Sequence, residues 1–96
     1  MNYRFLSGAE IDFQDAVDYY ESRRNGLGAE FAFEVSSALE RILQYPSGWE
    51  QISENCRRCL TLRFPYELIY VIEDGYVLIV AVANQHRKPG YWKNRK

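Results

Sequence analysis

The sequence predicts an α+β fold: an N-terminal strand, an α-helical hairpin, a three-stranded antiparallel meander and a basic C-terminal extension. Three observations carry this. Apolar residues recur at helical spacing through residues 9–20 and again through 31–42. From about residue 57 the pattern changes to runs rich in Leu, Ile, Val and Tyr. Pro65-Tyr66 and Asp74-Gly75 separate those runs, and Asp-Gly is a strong two-residue hairpin signal.

The alternation of Tyr3 and Phe5 with Asn2 and Arg4 suits a strand over 2–6. Ser7-Gly8-Ala9-Glu10 reads as a capping box, in which serine bonds a free amide of the first turn and glutamate reaches back. The helix that follows presents Ala9, Phe13, Ala16, Val17 and Tyr20 as one stripe and ends at Asn25-Gly26, which tolerate left-handed angles. A second helix runs from about Gly28 to Tyr45, with Phe31, Val35, Ala38, Leu39 and Ile42 as its buried face. Pro46 closes it by disfavouring helical angles at Tyr45. The short connection makes the two helices an antiparallel hairpin.

After a turn-rich stretch from Pro46 to Asn55, strands are expected at 57–64, 67–73 and 76–83. Two-residue loops would fix their faces. One face then carries Leu60, Leu62, Phe64, Ile69, Val71, Leu78, Val80 and Val82, the aliphatic side expected beneath the helices. The other carries Arg57, Cys59, Thr61, Arg63, Leu68, Tyr70, Ile72, Val77, Ile79 and Ala81. Its arginines, at one end, are expected to reach water or a partner, because an unpaired buried charge is costly.

Ninety-six residues suit a single domain spanning 1–96. With 47% apolar and 26% charged residues the composition is that of a globular chain, which excludes a disordered tail, a collagenous chain and a coiled-coil rod. There is no apolar run long enough for a membrane span or a signal peptide, so the expectation is a cytoplasmic protein, intact from Met1. The net charge of −1 hides an asymmetry. Residues 1–55 hold four bases against ten acids, and residues 56–96 hold eight bases against three acids. Two surfaces with different partners would give that pattern, as would halves that neutralise each other within the fold.

Cys56 and Cys59 form a lone C-x-x-C. A structural zinc site needs four ligands, and residues three apart on a strand point to opposite faces, so neither a metal site nor a cofactor is expected. Two reduced thiols also suit the cytosol.

The string Arg63-Phe64-Pro65-Tyr66-Glu67-Leu68-Ile69-Tyr70-Val71-Ile72 and the ending Arg87-Lys88-Pro89-Gly90-Tyr91-Trp92, in this order of elements, resemble the RelE/ParE superfamily. Tyr19-Tyr20-Glu21, Gly26-Leu27-Gly28 and Leu39-Glu40-Arg41-Ile42 support the likeness, which covers nearly the whole chain. It implies a growth-inhibiting toxin of a type II toxin–antitoxin (plasmid stabilisation) module, held by a cognate antitoxin as a hetero-oligomer, with a homodimer as another possibility. ParE-like members bind DNA gyrase and trap its cleaved-DNA state. RelE-like members cut messenger RNA on the ribosome. A third class is a non-toxic interaction module of the same fold.

Metal-independent RNA cleavage needs a base, a cation for the charged phosphorane and an acid for the leaving oxygen. If the chain is RelE-like, the resemblance matches Arg63 and Arg87 as phosphate clamps and Tyr91 as an acid or stacking platform, with Trp92 competing for the aromatic role, and His86 joins them as a base or acid on its imidazole chemistry. RelE-like members carry lysines before the first meander strand, whereas here Trp49–Asn55 holds acids and no base. The isoelectric point near 5.8 is low for a protein that must enter a ribosomal RNA site, where phosphate contacts dominate affinity. The ParE-like reading is therefore preferred.

For partner binding the sequence offers Tyr19 and Phe33. Each is offset around its helix from a core-facing neighbour, Tyr20 or Phe31, and each is rimmed by acids, a surface that suits an amphipathic antitoxin helix. Arg57, Arg58 and Trp92 complete the candidate partner-binding set. In the plainer reading the arginines pair with Glu67 or Glu73 across strands, Tyr91 and Trp92 fold back on a sheet edge, and Lys93, Arg95 and Lys96 fray into solvent.

Overall fold

The computed structural model describes residues 1–95. Strand β1 (Asn2–Phe5) leads into helices α1 (Ser7–Arg23) and α2 (Leu27–Gln44). A short 3-10 turn (Pro46–Gly48) follows, then β2 (Glu50–Gln51), β3 (Arg57–Leu60), β4 (Tyr66–Glu73) and β5 (Tyr76–Asn84). The meander β3-β4-β5 is extended at both sides into one sheet of order β1-β5-β4-β3-β2, in which β1 runs parallel to β5 and the other pairs are antiparallel. No helix among the described residues is long and apolar enough to cross a membrane.

Helix α1 begins one residue earlier than a capping box would place it. The amide of Leu6 still bonds the carbonyl of Ile79, and the Leu6 carbonyl then accepts from Ala9 and Glu10. Ser7 is therefore the first helical residue and caps nothing; the expected capping box does not form. The hairpin turn is closed differently. Gly26 adopts φ +88°, which suits only glycine at low cost, and the Glu21 carboxylate accepts the amides of Gly26 and Gly28. A Cβ on Gly28 would lie 2.8 Å from the carbonyl oxygen of Val17, so glycine sets how closely the two helices approach.

The expected helical faces are buried: Ala9 and Ala16 from α1, and Phe31, Val35, Ala38, Leu39 and Ile42 from α2. The sheet face they meet is the opposite of the one expected. Cys59, Leu68, Tyr70, Val77 and Ile79 pack under the helices, whereas Ile69, Val71, Leu78 and Val80 form a second cluster on the far side. The central strands are apolar on both faces, so composition alone could not choose between them. Geometry at the end of α2 does: the Tyr70 hydroxyl donates to the Pro46 carbonyl, Arg57 donates to the Trp49 carbonyl at 2.8 Å, and the Trp49 indole donates to the Arg41 carbonyl at 3.1 Å. The polar ends of this face thus find acceptors in the chain leaving α2.

Two further departures concern register. Leu60 pairs with Glu67, so residues 61–65 form a loop and the expected two-residue turn at Pro65-Tyr66 is absent. Thr61 ties that loop, its amide bonding the Tyr66 carbonyl and its hydroxyl the Phe64 carbonyl at 2.7 Å. Leu62 is left 79% exposed rather than buried, while Phe64 turns inward against Tyr20 and Phe31. In β5, Tyr70 faces Ile79 but Ile69 faces Ala81, which makes Val80 the extra residue of a β-bulge. Val80 and Ala81 both join the far cluster, and Val82 returns to the helix side. The Asp74-Gly75 hairpin forms as expected, with Glu73 opposite Tyr76 and Gly75 at φ +83°.

Gly28→Ala is expected to lower unfolding free energy by about 1–3 kcal/mol through overpacking, and Glu21→Ala by about 1 kcal/mol through loss of the turn's acceptor. Urea midpoints read both, and an unshifted midpoint for Gly28→Ala would show that the helices yield to a methyl group. Burial raises the Tyr70 phenol from 10.0 to about 12. Its folded pKa lies above its unfolded one, so the linked stability is whole below pH 10 and is lost as pH rises towards 12. Alkaline unfolding of Tyr70→Phe, followed by circular dichroism, should depend less on pH in that window than the wild type.

Candidate partner-binding site

The arginines expected at a free rim are engaged. Arg58 bridges Glu50 at 2.8 Å and Glu67 at 3.5 Å, and the hydrogen bond to Glu50 does most to raise its pKa. Arg57 spans back to Trp49. Arg63 lies in the β3–β4 loop, not on a strand. Its guanidinium is 2.6 Å from Glu30 on α2 and over the Phe64 ring, and the bond holds the Glu30 carboxyl below its ordinary value. The same loop is held by Glu34, whose carboxylate accepts the amides of Leu62 and Arg63. The plainer reading, pairing across strands, holds for Arg58 and Glu67.

The ending of the chain is ordered against the body, contrary to a frayed end. Tyr91 and Trp92 pack on the far sheet cluster with their rings edge to face at 5.2 Å. They cover a face rather than an edge. Arg95 does not fray: Nη1 is 2.7 Å from Oδ2 of Asp12 and donates to the Val80 carbonyl at 3.0 Å, and Nη2 reaches Oδ1 of Asp12. Asp12 Oδ2 also accepts from the Tyr91 hydroxyl at 3.2 Å and from the Val82 amide at 3.1 Å. The Asp12 side chain is 8% exposed and that of Arg95 24%. Lys96 lies outside the described residues.

This cluster has a local cause. β1 pairs with β5 only as far as Ile79, and the bulge follows at once. The Val80 carbonyl and the Val82 amide find their partners in Arg95 and Asp12, because backbone groups shielded from water need one. Gly8 makes room, since a Cβ there would lie 2.8 Å from Cζ of Arg95. Sequence reasoning missed Asp12, Arg95 and Gly8. The one available signal was a glycine in the first turn of a helix, where its flexibility is a cost unless something must come close.

The predicted residues therefore fall into separate groups. Tyr19, Arg87 and Tyr91 line one shallow cleft of about 250 Å³ with Asp12, Asp15 and Asn84. There the Arg87 guanidinium lies 3.7 Å from the centre of the Tyr91 ring, close enough for cation–π attraction. Burial and the nearby Asp12 raise the Tyr91 phenol to about 12. His86 is exposed on the adjoining turn, its amide bonded to the Asn84 side chain. The Gln85 amide bonds the Pro65 carbonyl, so this turn and the Arg63 loop share one end of the sheet, but Arg63 is turned to Glu30 and Arg87 to Tyr91. Arg57 and Trp92 line a different groove, between the Ile52–Cys56 segment and the far sheet face. Phe33 stands 69% exposed on α2, and Tyr19 54% exposed on α1 with its ring against Tyr20. Cys59 is buried on the helix side, where desolvation raises its thiol pKa, and Cys56 packs on the other face.

A comparison with curated proteins by sequence found no match. Among solved structures, the chain is similar to one described as "Chromosomal ParDE TA system from P. aeruginosa", with a TM-score of 0.74 and 13% identity over 88% of this chain and 95% of that one. At that identity the likeness concerns the fold. The family model described as "ParE toxin of type II toxin-antitoxin system, parDE" matches residues 3–89. That match spans nearly all of its length, and the chain belongs to the ParE toxin family of type II toxin–antitoxin systems.

Proposed function

We propose that this toxin acts in the cytoplasm by binding, with no bond-breaking chemistry of its own, that its target is DNA gyrase, and that its antitoxin docks on the exposed side of the helical hairpin at Tyr19 and Phe33. One observation carries the non-catalytic reading. The Tyr91 hydroxyl, a candidate general acid of an RNA-cleaving site, is bonded to Asp12 with its pKa raised to about 12. An efficient general acid titrates near working pH. Arg63, which a phosphate clamp would need beside Arg87, is turned to Glu30 and supports the same conclusion.

The antitoxin surface follows from exposure and charge. Tyr19 and Phe33 are the large exposed aromatics of the hairpin, and Asp15 and Glu40 are exposed on the same two helices. An amphipathic segment with apolar anchors and basic flanks fits such a surface.

Expression without antitoxin should arrest growth, and purified toxin added to gyrase and plasmid should accumulate cleaved DNA. Arg63→Ala should keep that activity within about twofold, as expected for a surface side chain outside any reacting centre. Cut messenger RNA with supercoiling intact would overturn the gyrase reading in favour of a nuclease, and unimpaired growth would point to a non-toxic module.

Phe33→Glu should weaken antitoxin binding by about tenfold or more, which is about 1.4 kcal/mol. Titration calorimetry of the variant, with its circular dichroism unchanged, makes the comparison. An unchanged dissociation constant would remove α2 from the antitoxin surface.

A further inference from the structure

The C-terminal segment returns across the body and is fastened at its far end. After β5 the chain makes an exposed turn through Gln85, His86, Arg87 and Lys88, then reverses at Gly90, which has φ +82°. Tyr91 and Trp92 lie down on the far sheet cluster, and Arg95 closes the loop on Asp12. No acid lies between Asn84 and Lys96. The exposed turn is thus a basic tip held at two bases: β5 on one side and the Asp12–Arg95 pair on the other.

The pair is built for holding. Both terminal guanidinium nitrogens of Arg95 meet the two oxygens of Asp12, the two-pronged geometry that fixes orientation as well as distance. The same guanidinium caps Val80 and lies 5.1 Å from the centre of the Tyr91 ring, whose hydroxyl returns to Asp12. Arg87 stacks on the other participant, Tyr91, so the tip is linked through one ring to the ion pair. A loop free to fluctuate would pay an ordering cost whenever it bound, and fixing it beforehand removes that cost.

We propose that Asp12 and Arg95 are positioning residues for the toxin's target contact: they act through Tyr91 to hold the basic tip at Arg87 and Lys88 in its binding geometry. This rests on the reading of the chain as a toxin that works by binding. Tyr19 borders the same cleft as Arg87 and Tyr91, whereas Phe33 on α2 lies outside it, so target contact should separate on mutation from the antitoxin contact at Phe33.

The test uses the full chain, released from its antitoxin. Arg95→Gln removes the charge from a segment outside every helix and strand, Asp12→Asn removes it from the other side while leaving an acceptor for Val82, and Arg95→Lys keeps the charge. The expected result for Arg95→Gln and Asp12→Asn is loss of about tenfold or more in growth-arresting potency and in gyrase trapping, as misplacement of a contact group produces. Tryptic cleavage after Arg87 and Lys93 should quicken about tenfold as the segment opens. Antitoxin affinity should stay within about twofold, which general unfolding would not allow, and Arg95→Lys, which keeps the charge but loses the two-pronged bond, should recover only part of the potency. Quickened cleavage with undiminished potency would overturn the proposal, as would a parallel loss of antitoxin affinity in Arg95→Gln. A wild-type chain that arrests nothing would instead sink the target-binding reading, and this one with it; a chain that arrests growth without touching gyrase leaves the potency ratio between variants and wild type to decide.

Discussion

A pair of central strands that is apolar on both faces cannot leave either face in water. In β4 and β5 that condition holds along most of their length: Leu68, Tyr70, Val77 and Ile79 look one way, and Ile69, Val71, Leu78 and Val80 the other. Two helices are enough to cover only one side. The remaining side falls to Leu6, to the Ile52–Cys56 segment and to Tyr91 and Trp92 of the ending. Each buried side chain of this size is worth about 1.5–3 kcal/mol, so the far cover is a substantial share of the marginal stability of a small fold. The ending is a structural layer, and its charges are placed by that duty.

The same constraint explains where the cations went. An arginine whose stem lies along an apolar sheet must find an acceptor for its head, and each candidate on β3 and its loop does so nearby: Arg57 on a backbone carbonyl, Arg58 on two glutamates, Arg63 on Glu30. The acidic early half and the basic late half are partly reconciled inside the molecule by Glu30–Arg63, Glu50–Arg58 and Asp12–Arg95. Arg87 and Lys88 stay at the surface, which is why the exposed turn emerges as the cationic feature of the ending.

The helices were legible because a helix carries its own period: Phe31, Val35, Ala38 and Ile42 declare a face without reference to anything else. The order of elements and the Asp74-Gly75 hairpin were legible for the same local reason. What sequence reading missed depends on distant partners. The parallel pairing of β1 with β5, the short β2 against β3, and the choice of sheet face are all decided by groups far along the chain, such as the Pro46 carbonyl that receives Tyr70. The bulge at Val80 has no sequence mark at all. Among the candidate site residues, Tyr19 and Phe33 were found as exposed because helical offset predicts it, whereas Arg95 was misread because nothing in its neighbourhood announces Asp12.

The parallel strand at the N-terminus has a temporal implication. Asn2 pairs with Tyr76 and Phe5 with Ile79, so β1 finds its neighbour only after both helices and the rest of the sheet have been made. The helical hairpin can assemble from local contacts long before this, but the sheet must wait for β5, and the last layer for Tyr91 and Trp92. The surface presented by α1 and α2 is therefore complete earlier in synthesis than the basic turn, and a nascent chain exposes the helical hairpin before the sheet that backs it has closed.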